Sequence, residues 1–115
     1  MMPPVLHGQS VTLRPVESAD LEPLRRWYNA PETFPYMGRD EPLTAKAQAD
    51  WHTRTRDDQS VLTWAVTRSV DGTLIGSITL RNLDDPARRG ELGVLLGMPG
   101  SGFGSDAVRT VLAHA

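Results

Sequence analysis

The chain contains no cysteine. That absence removes disulfides, thiolate metal sites and a cysteine nucleophile together. Lysine is nearly absent too: Lys46 stands alone among 12 basic residues, the rest being arginine. No Gly-Lys-Ser/Thr triplet occurs, so a Walker-type phosphate loop is excluded. The histidines, His7, His52 and His114, are scattered without metal-ligand spacing, and no metal is expected. No apolar run approaches the roughly 18 residues of a membrane span. The start, Met1-Met2-Pro3-Pro4-Val5, has neither the basic segment nor the apolar stretch of a signal peptide. A cytoplasmic chain without membrane contact is the expectation. Neither sign of charge dominates, with 12 Lys and Arg against 14 Asp and Glu and a net charge of -2. A dedicated nucleic-acid binder would show a basic patch and a high pI, so no nucleic-acid partner is expected.

What is present suits one ordinary globular domain over 1–115, with 39% apolar residues in 115. Ser10-Val11-Thr12-Leu13-Arg14 alternates and reads as a strand closed by Pro15. Ser18 offers an N-cap to a helix whose apolar positions are Leu21, Leu24, Trp27 and Tyr28, and Pro31 ends it. Thr44 caps a second helix running to about Asp57. Two alternating strands follow around Trp64 and Ile78, joined by a Ser69-Val70-Asp71-Gly72 hairpin turn. Glu91 to Leu96 is the most apolar strand and is expected at the centre of the sheet. A last helix carries Ala107, Val108, Val111, Leu112 and Ala115 as its apolar stripe, beginning near Ser105.

Between that strand and helix lies Gly100-Ser101-Gly102-Phe103-Gly104-Ser105. A glycine loop opening onto a helix is an anion-binding arrangement, because converging backbone N–H groups and the helix dipole favour negative charge. A flexible turn without a ligand is the alternative reading. A dinucleotide fingerprint is excluded by spacing, by the antiparallel strands before the loop, and by the short stretch of chain after it.

Taken in order, these pieces resemble the GNAT N-acetyltransferases, and within them the ribosomal-protein N-terminal acetyltransferases. The resemblance is carried by Val11-Thr12-Leu13-Arg14-Pro15, Asp20-Leu21, Trp27-Tyr28-Asn29-Ala30-Pro31-Glu32 and Trp51. It continues through Asp71-Gly72-Thr73-Leu74-Ile75-Gly76, Gly90-Glu91-Leu92-Gly93 and Gly100 to Ala107. The family's loop pattern, Gln/Arg-x-x-Gly-x-Gly/Ala, is met at Gly102 and Gly104, while Pro99 departs from its first position.

The resemblance implies an α+β fold, a GNAT-like antiparallel or mixed sheet flanked by helices in the order β-α-α-β-β-β-α. It implies acetyl-CoA as donor, its pyrophosphate on the amides of Gly100, Ser101, Gly102, Phe103, Gly104 and Ser105. The pantetheine arm would lie along Leu95, Leu96 and Gly97. An amine acceptor, a small molecule or a protein N-terminus, would attack the thioester directly. Glu91 matches the position of a general base in some members, the alternative being a carboxylate bonded to backbone or to Arg88 or Arg89. A backbone N–H near Val94 or Leu95 would hold the oxyanion. Tyr28, Glu32 and Tyr36 are candidates for the acceptor groove.

The family's fold continues with a further strand, a helix and a hairpin, which are expected to be lacking here. Two expectations follow: a homodimer through the exposed strand 91–96, and, as the alternative function, a domain that binds CoA or a protein partner without turnover.

Overall fold

The computed structural model describes residues 3–30, 42–81, 91–97 and 102–114. Its strands form a five-stranded antiparallel meander in sequence order: β1 (Leu6–His7), β2 (Val11–Pro15), β3 (Leu62–Arg68), β4 (Leu74–Arg81) and β5 (Glu91–Leu96). Two helices, α1 (Leu21–Tyr28) and α2 (Ala45–Arg56), intervene between β2 and β3, and α3 (Phe103–His114) follows β5.

Strand register divides the side chains between two faces. Leu13 opposes Val66, Trp64 opposes Ile78, and Leu80 opposes Leu92. Since opposed residues share a face, these form one apolar sheet surface, and Ala107 and Val111 of α3 close over it. Trp64 is wholly buried there. Its indole N–H donates to the Pro4 carbonyl at 2.9 Å, and its ring meets His114 edge-on, with centroids 6.2 Å apart. The other face carries Thr63, Ala65, Thr79 and Leu95 and lies toward α1 and α2.

Several expectations needed correction. The strand over 91–96 is not central: among the described residues β5 pairs only with β4 and forms the sheet edge. Its apolar residues had suggested burial on both sides, but Glu91, Gly93 and Val94 are exposed. Ser18 does not cap α1. A 3₁₀ turn over Ser18–Asp20 comes first, and Asp20 accepts the Glu17 N–H at 2.8 Å. Asp20 is also gripped by the Arg14 guanidinium at 2.7 and 3.0 Å. Leu112 is 61% exposed, so the buried stripe of α3 is narrower than its periodicity suggests. α3 also begins two residues earlier than expected, at Phe103, so Phe103 and Gly104 are helix and not loop.

Other features match. Thr44 Oγ1 accepts the Ala47 N–H at 3.0 Å as the cap of α2. Gly72 takes a φ of 75° in the β3–β4 turn. The two-residue strand β1 had no counterpart in the sequence reading.

Candidate active site

The end of β5 and the start of α3 bring the glycine positions together. Gly102, just before α3, has a φ of 73°, a left-handed conformation that side chains disfavour. A Cβ built there meets nothing within 4 Å. The first ladder bond of the helix runs from the Asp106 N–H to the Gly102 carbonyl at 3.0 Å. The amides of Phe103, Gly104 and Ser105 therefore have no acceptor within the helix, and they present the positive end of its dipole. Gly104 lets the turn close onto β5, since a Cβ there would stand 2.8 Å from a Leu96 methyl. Gly100 and Ser101 lie outside the described residues. The described part of this turn fits an anionic group, with three N–H groups that no helical carbonyl takes and no described side chain over Gly102.

An acid in the first helical turn would oppose an anion, yet Asp106 is turned away. Its carboxylate accepts the N–H groups of Gln9, Ser10 and Val11 at 3.1, 2.8 and 3.0 Å, plus the Ser10 hydroxyl at 3.2 Å. Burial pushes this carboxyl up, but those donors outweigh it and hold the group below its ordinary value. The hairpin thus absorbs the charge and fixes the helix N-terminus.

β5 leads away from this turn. The Gly97 N–H donates to the Ile75 carbonyl at 2.8 Å. By the alternation of an antiparallel ladder, Val94 and Leu96 then direct their N–H and C=O groups to the open edge, while Leu95 directs its own toward β4. The Leu95 side chain is buried. Glu91 is exposed at the far end of the strand and shares the Leu95 face. It opposes Arg81 on β4, and Arg88 and Arg89 lie outside the described residues. From Glu91 to Leu96 is about 17 Å at the rise of a strand.

α1 approaches the same strand at Gly97, where a Cβ would enter the Trp27 indole. The half-buried Tyr28 follows as the last residue of α1. Asn29 then clamps the entry to α2: its amide group donates to the Leu43 carbonyl at 2.9 Å, and its side-chain oxygen accepts the Leu43 N–H at 2.8 Å. Glu32 and Tyr36 fall between these anchors, outside the described residues.

Among the described residues two cavities open elsewhere, and neither is lined by β5, Gly97, Gly102 or Gly104. One of about 340 Å³ lies among Pro15, Glu17, Ser18, His52 and Thr63. Burial pushes the His52 imidazole down and nearby Arg56 adds to this, while Asp20 opposes it. The other, about 560 Å³, lies between the β1–β2 hairpin and the outer side of α3. A ligand on β5 would lie along a strand edge, which is not an enclosed cavity.

The profile of the acetyltransferase (GNAT) domain family matches residues 10–115. The chain belongs to this family. No curated protein matches it, but solved structures share the fold. A domain from Methanocaldococcus jannaschii superposes with a TM-score of 0.75 at 23% identity, over 90% of this chain and 68% of that one. A GNAT-family acetyltransferase from Bacillus anthracis gives 0.80 at 14% identity, over 96% of this chain and 65% of that one. A spermidine N-acetyltransferase from Vibrio cholerae, solved with CoA and spermine, gives 0.78 at 21% identity, over 91% of this chain and 63% of that one. The chain thus spans about two thirds of the length of these relatives.

Within this GNAT domain, the structure brings Leu96, Gly97, Gly102, Phe103, Gly104 and Ser105 to one end of β5 and leaves Glu91 at the other. Sequence reasoning missed Asp106 and Asn29 as fasteners, and Trp27 as the group packed on Gly97. An aspartate in a first helical turn and an asparagine at a helix end are ordinary locally. Their partners, Gln9 to Val11 and Leu43, are visible only once the chain has folded.

Proposed function

We propose that this domain transfers the acetyl group of acetyl-CoA to a primary amine at the open edge of β5. The observation that carries the reading is the start of α3, where amides without an intrahelical acceptor follow a left-handed Gly102 at the end of an edge strand. These amides hold the pyrophosphate, with Gly100 and Ser101 extending the same turn. The outward groups of Leu96 and the Val94 carbonyl pair with the pantetheine arm, strand-fashion, which leaves the Val94 N–H as the donor for the oxyanion.

Acetyl-CoA supplies the thioester: a C–N bond forms to the amine, the C–S bond breaks, and CoA leaves as its thiolate, which takes a proton from water. Glu91 accepts the amine's proton, directly or through one water. The family membership supports an amine acceptor. A protein N-terminus follows from the resemblance to the ribosomal-protein branch, and a polyamine from the spermine complex of the Vibrio cholerae relative. Self-association of the 91–96 edge would use the same outward groups, so ultracentrifugation with and without CoA reports which use prevails.

The test is Gly102→Glu beside Gly102→Asn. Asparagine tolerates the left-handed backbone and brings no charge, whereas glutamate puts a carboxylate where the phosphates sit. Calorimetry should show CoA binding lost in the glutamate variant and largely kept in the asparagine variant, with both folded by circular dichroism. Equal CoA affinity in parent and Gly102→Glu would remove the loop from the site.

A further inference from the structure

Resting on the proposed acetyl transfer, we infer that Gly93 is the floor of the amine site, a bare step of strand over which the acceptor's nitrogen and its first carbon lie. At Gly8, Gly76, Gly97 and Gly104 a Cβ would collide with Asp106, the Leu95 carbonyl, the Trp27 ring or Leu96 respectively. Gly72 and Gly102 hold positive φ angles. Gly93 alone among the described glycines has neither reason. It sits in the middle of β5 without a positive φ, and a Cβ built on it meets none of the described residues within 4 Å.

Glycine inside a strand costs stability through backbone entropy and leaves nothing to pack, so an unobstructed position should favour a larger residue. Where no neighbour demands glycine, close approach of a ligand to the backbone is a reason for it.

The surroundings say which ligand. Side chains two apart on a strand share a face, so Gly93 lies between Glu91 and Leu95 on the side toward α1 and α2, about 7 Å from each. Across the ladder it opposes Thr79, whose hydroxyl lies 3.3 Å from that of Thr63. Leu95 closes one end of this step as a buried side chain, and Glu91 stands exposed at the other. A nitrogen that gives its proton to Glu91 must be on this face, whereas the thioester arrives along the strand edge. The route from one to the other crosses Gly93. A side chain there would hold the amine off the edge without touching the groups at the start of α3.

Gly93→Ala and Gly93→Val in the full chain test this. CoA affinity is read by calorimetry, amine affinity on the CoA-loaded protein with spermine and with a tripeptide bearing a free N-terminus, and stability by thermal melting. The expected result is an unchanged or raised Tm, unchanged CoA affinity, and amine affinity weakened at least tenfold in Gly93→Val and less in Gly93→Ala. Any KM for the amine should rise in the same order. The inference is overturned by unchanged amine affinity in Gly93→Val, by a parallel loss of CoA affinity, or by a fall in Tm, which would give the glycine a structural role. A parent that binds CoA but neither amine overturns this inference alone. A parent that binds neither CoA nor amine overturns the acetyl-transfer reading with it.

Discussion

β3 and β5 are both rich in apolar residues, yet they serve the molecule differently. β3 has partners on both edges, and its residues from Trp64 to Thr67 are all buried. β5 has one partner among the described residues, buries only Leu95, and exposes Glu91, Gly93 and Val94. Position in the ladder separates them more than composition does. A strand closed on every side can only stabilise; a strand with an open edge and a bare step keeps backbone groups available for a ligand.

The largest effect should come from breaking the closed strand. Trp64→Ala removes a fully buried indole and its bond to Pro4, and should destabilise the domain by about 4 kcal/mol. Val94→Ala on β5, where the side chain is 37% exposed, should cost under about 1 kcal/mol. Urea midpoints for the pair measure the contrast, and equal losses would mean that β5 is as much core as β3.

Turnover should respond in the opposite sense. Glu91→Gln keeps the shape of an exposed residue and removes a base. kcat should fall on the order of 10²-fold, about 2.7 kcal/mol, and recover partly at high pH, where free amine is abundant. Melting should be unchanged. A lower Tm with kcat intact would assign Glu91 to the structure instead.

The smallest effect is on pH dependence, and it belongs to the closed part of the molecule. Burial raises the Asp20 carboxyl, but Arg14 and the Glu17 N–H outweigh it and leave the group below its ordinary value of 3.8. Asp106 is lowered from the same value, and His52 is lowered from 6.5. For each, the unfolded chain takes up protons before the folded one does, so the contribution is present at high pH and disappears on acidification. Stability should therefore decline gently below about pH 6.5 through His52, and more steeply below about pH 4 through the two aspartates. Urea titrations across this range should show the upper slope flattened in His52→Gln and the lower one reduced in Asp106→Asn. An unaltered acid limb in Asp106→Asn would mean that the hairpin contacts do not depend on its charge.

Much of this was readable from sequence because it is local. The Thr44 cap, the Asp71-Gly72 turn and the alternation in β2, β3 and β4 each depend on neighbouring residues. The glycine loop was legible for the same reason. The edge position of β5 was legible only through the family resemblance, since by composition an apolar strand looks alike at the centre and at the border. The two-residue β1 is too short to show a period. The α3 start was displaced because Phe103 and Gly104 read as loop residues until Gly102 is seen to turn the chain. At the site, Glu91 and Gly102 could be named from the sequence. The absence of any neighbour over Gly93 needed coordinates.

The grip of Asp106 on Gln9, Ser10 and Val11 joins residues 95 to 97 positions apart. Contacts this distant in sequence form late, after the chain has met the entropy of closing so large a loop. The helix start proposed to hold the CoA phosphates is thus fastened by residues far earlier in the chain, and it cannot be locked until α3 itself has been made. Competence to bind the donor should be among the last properties acquired in folding.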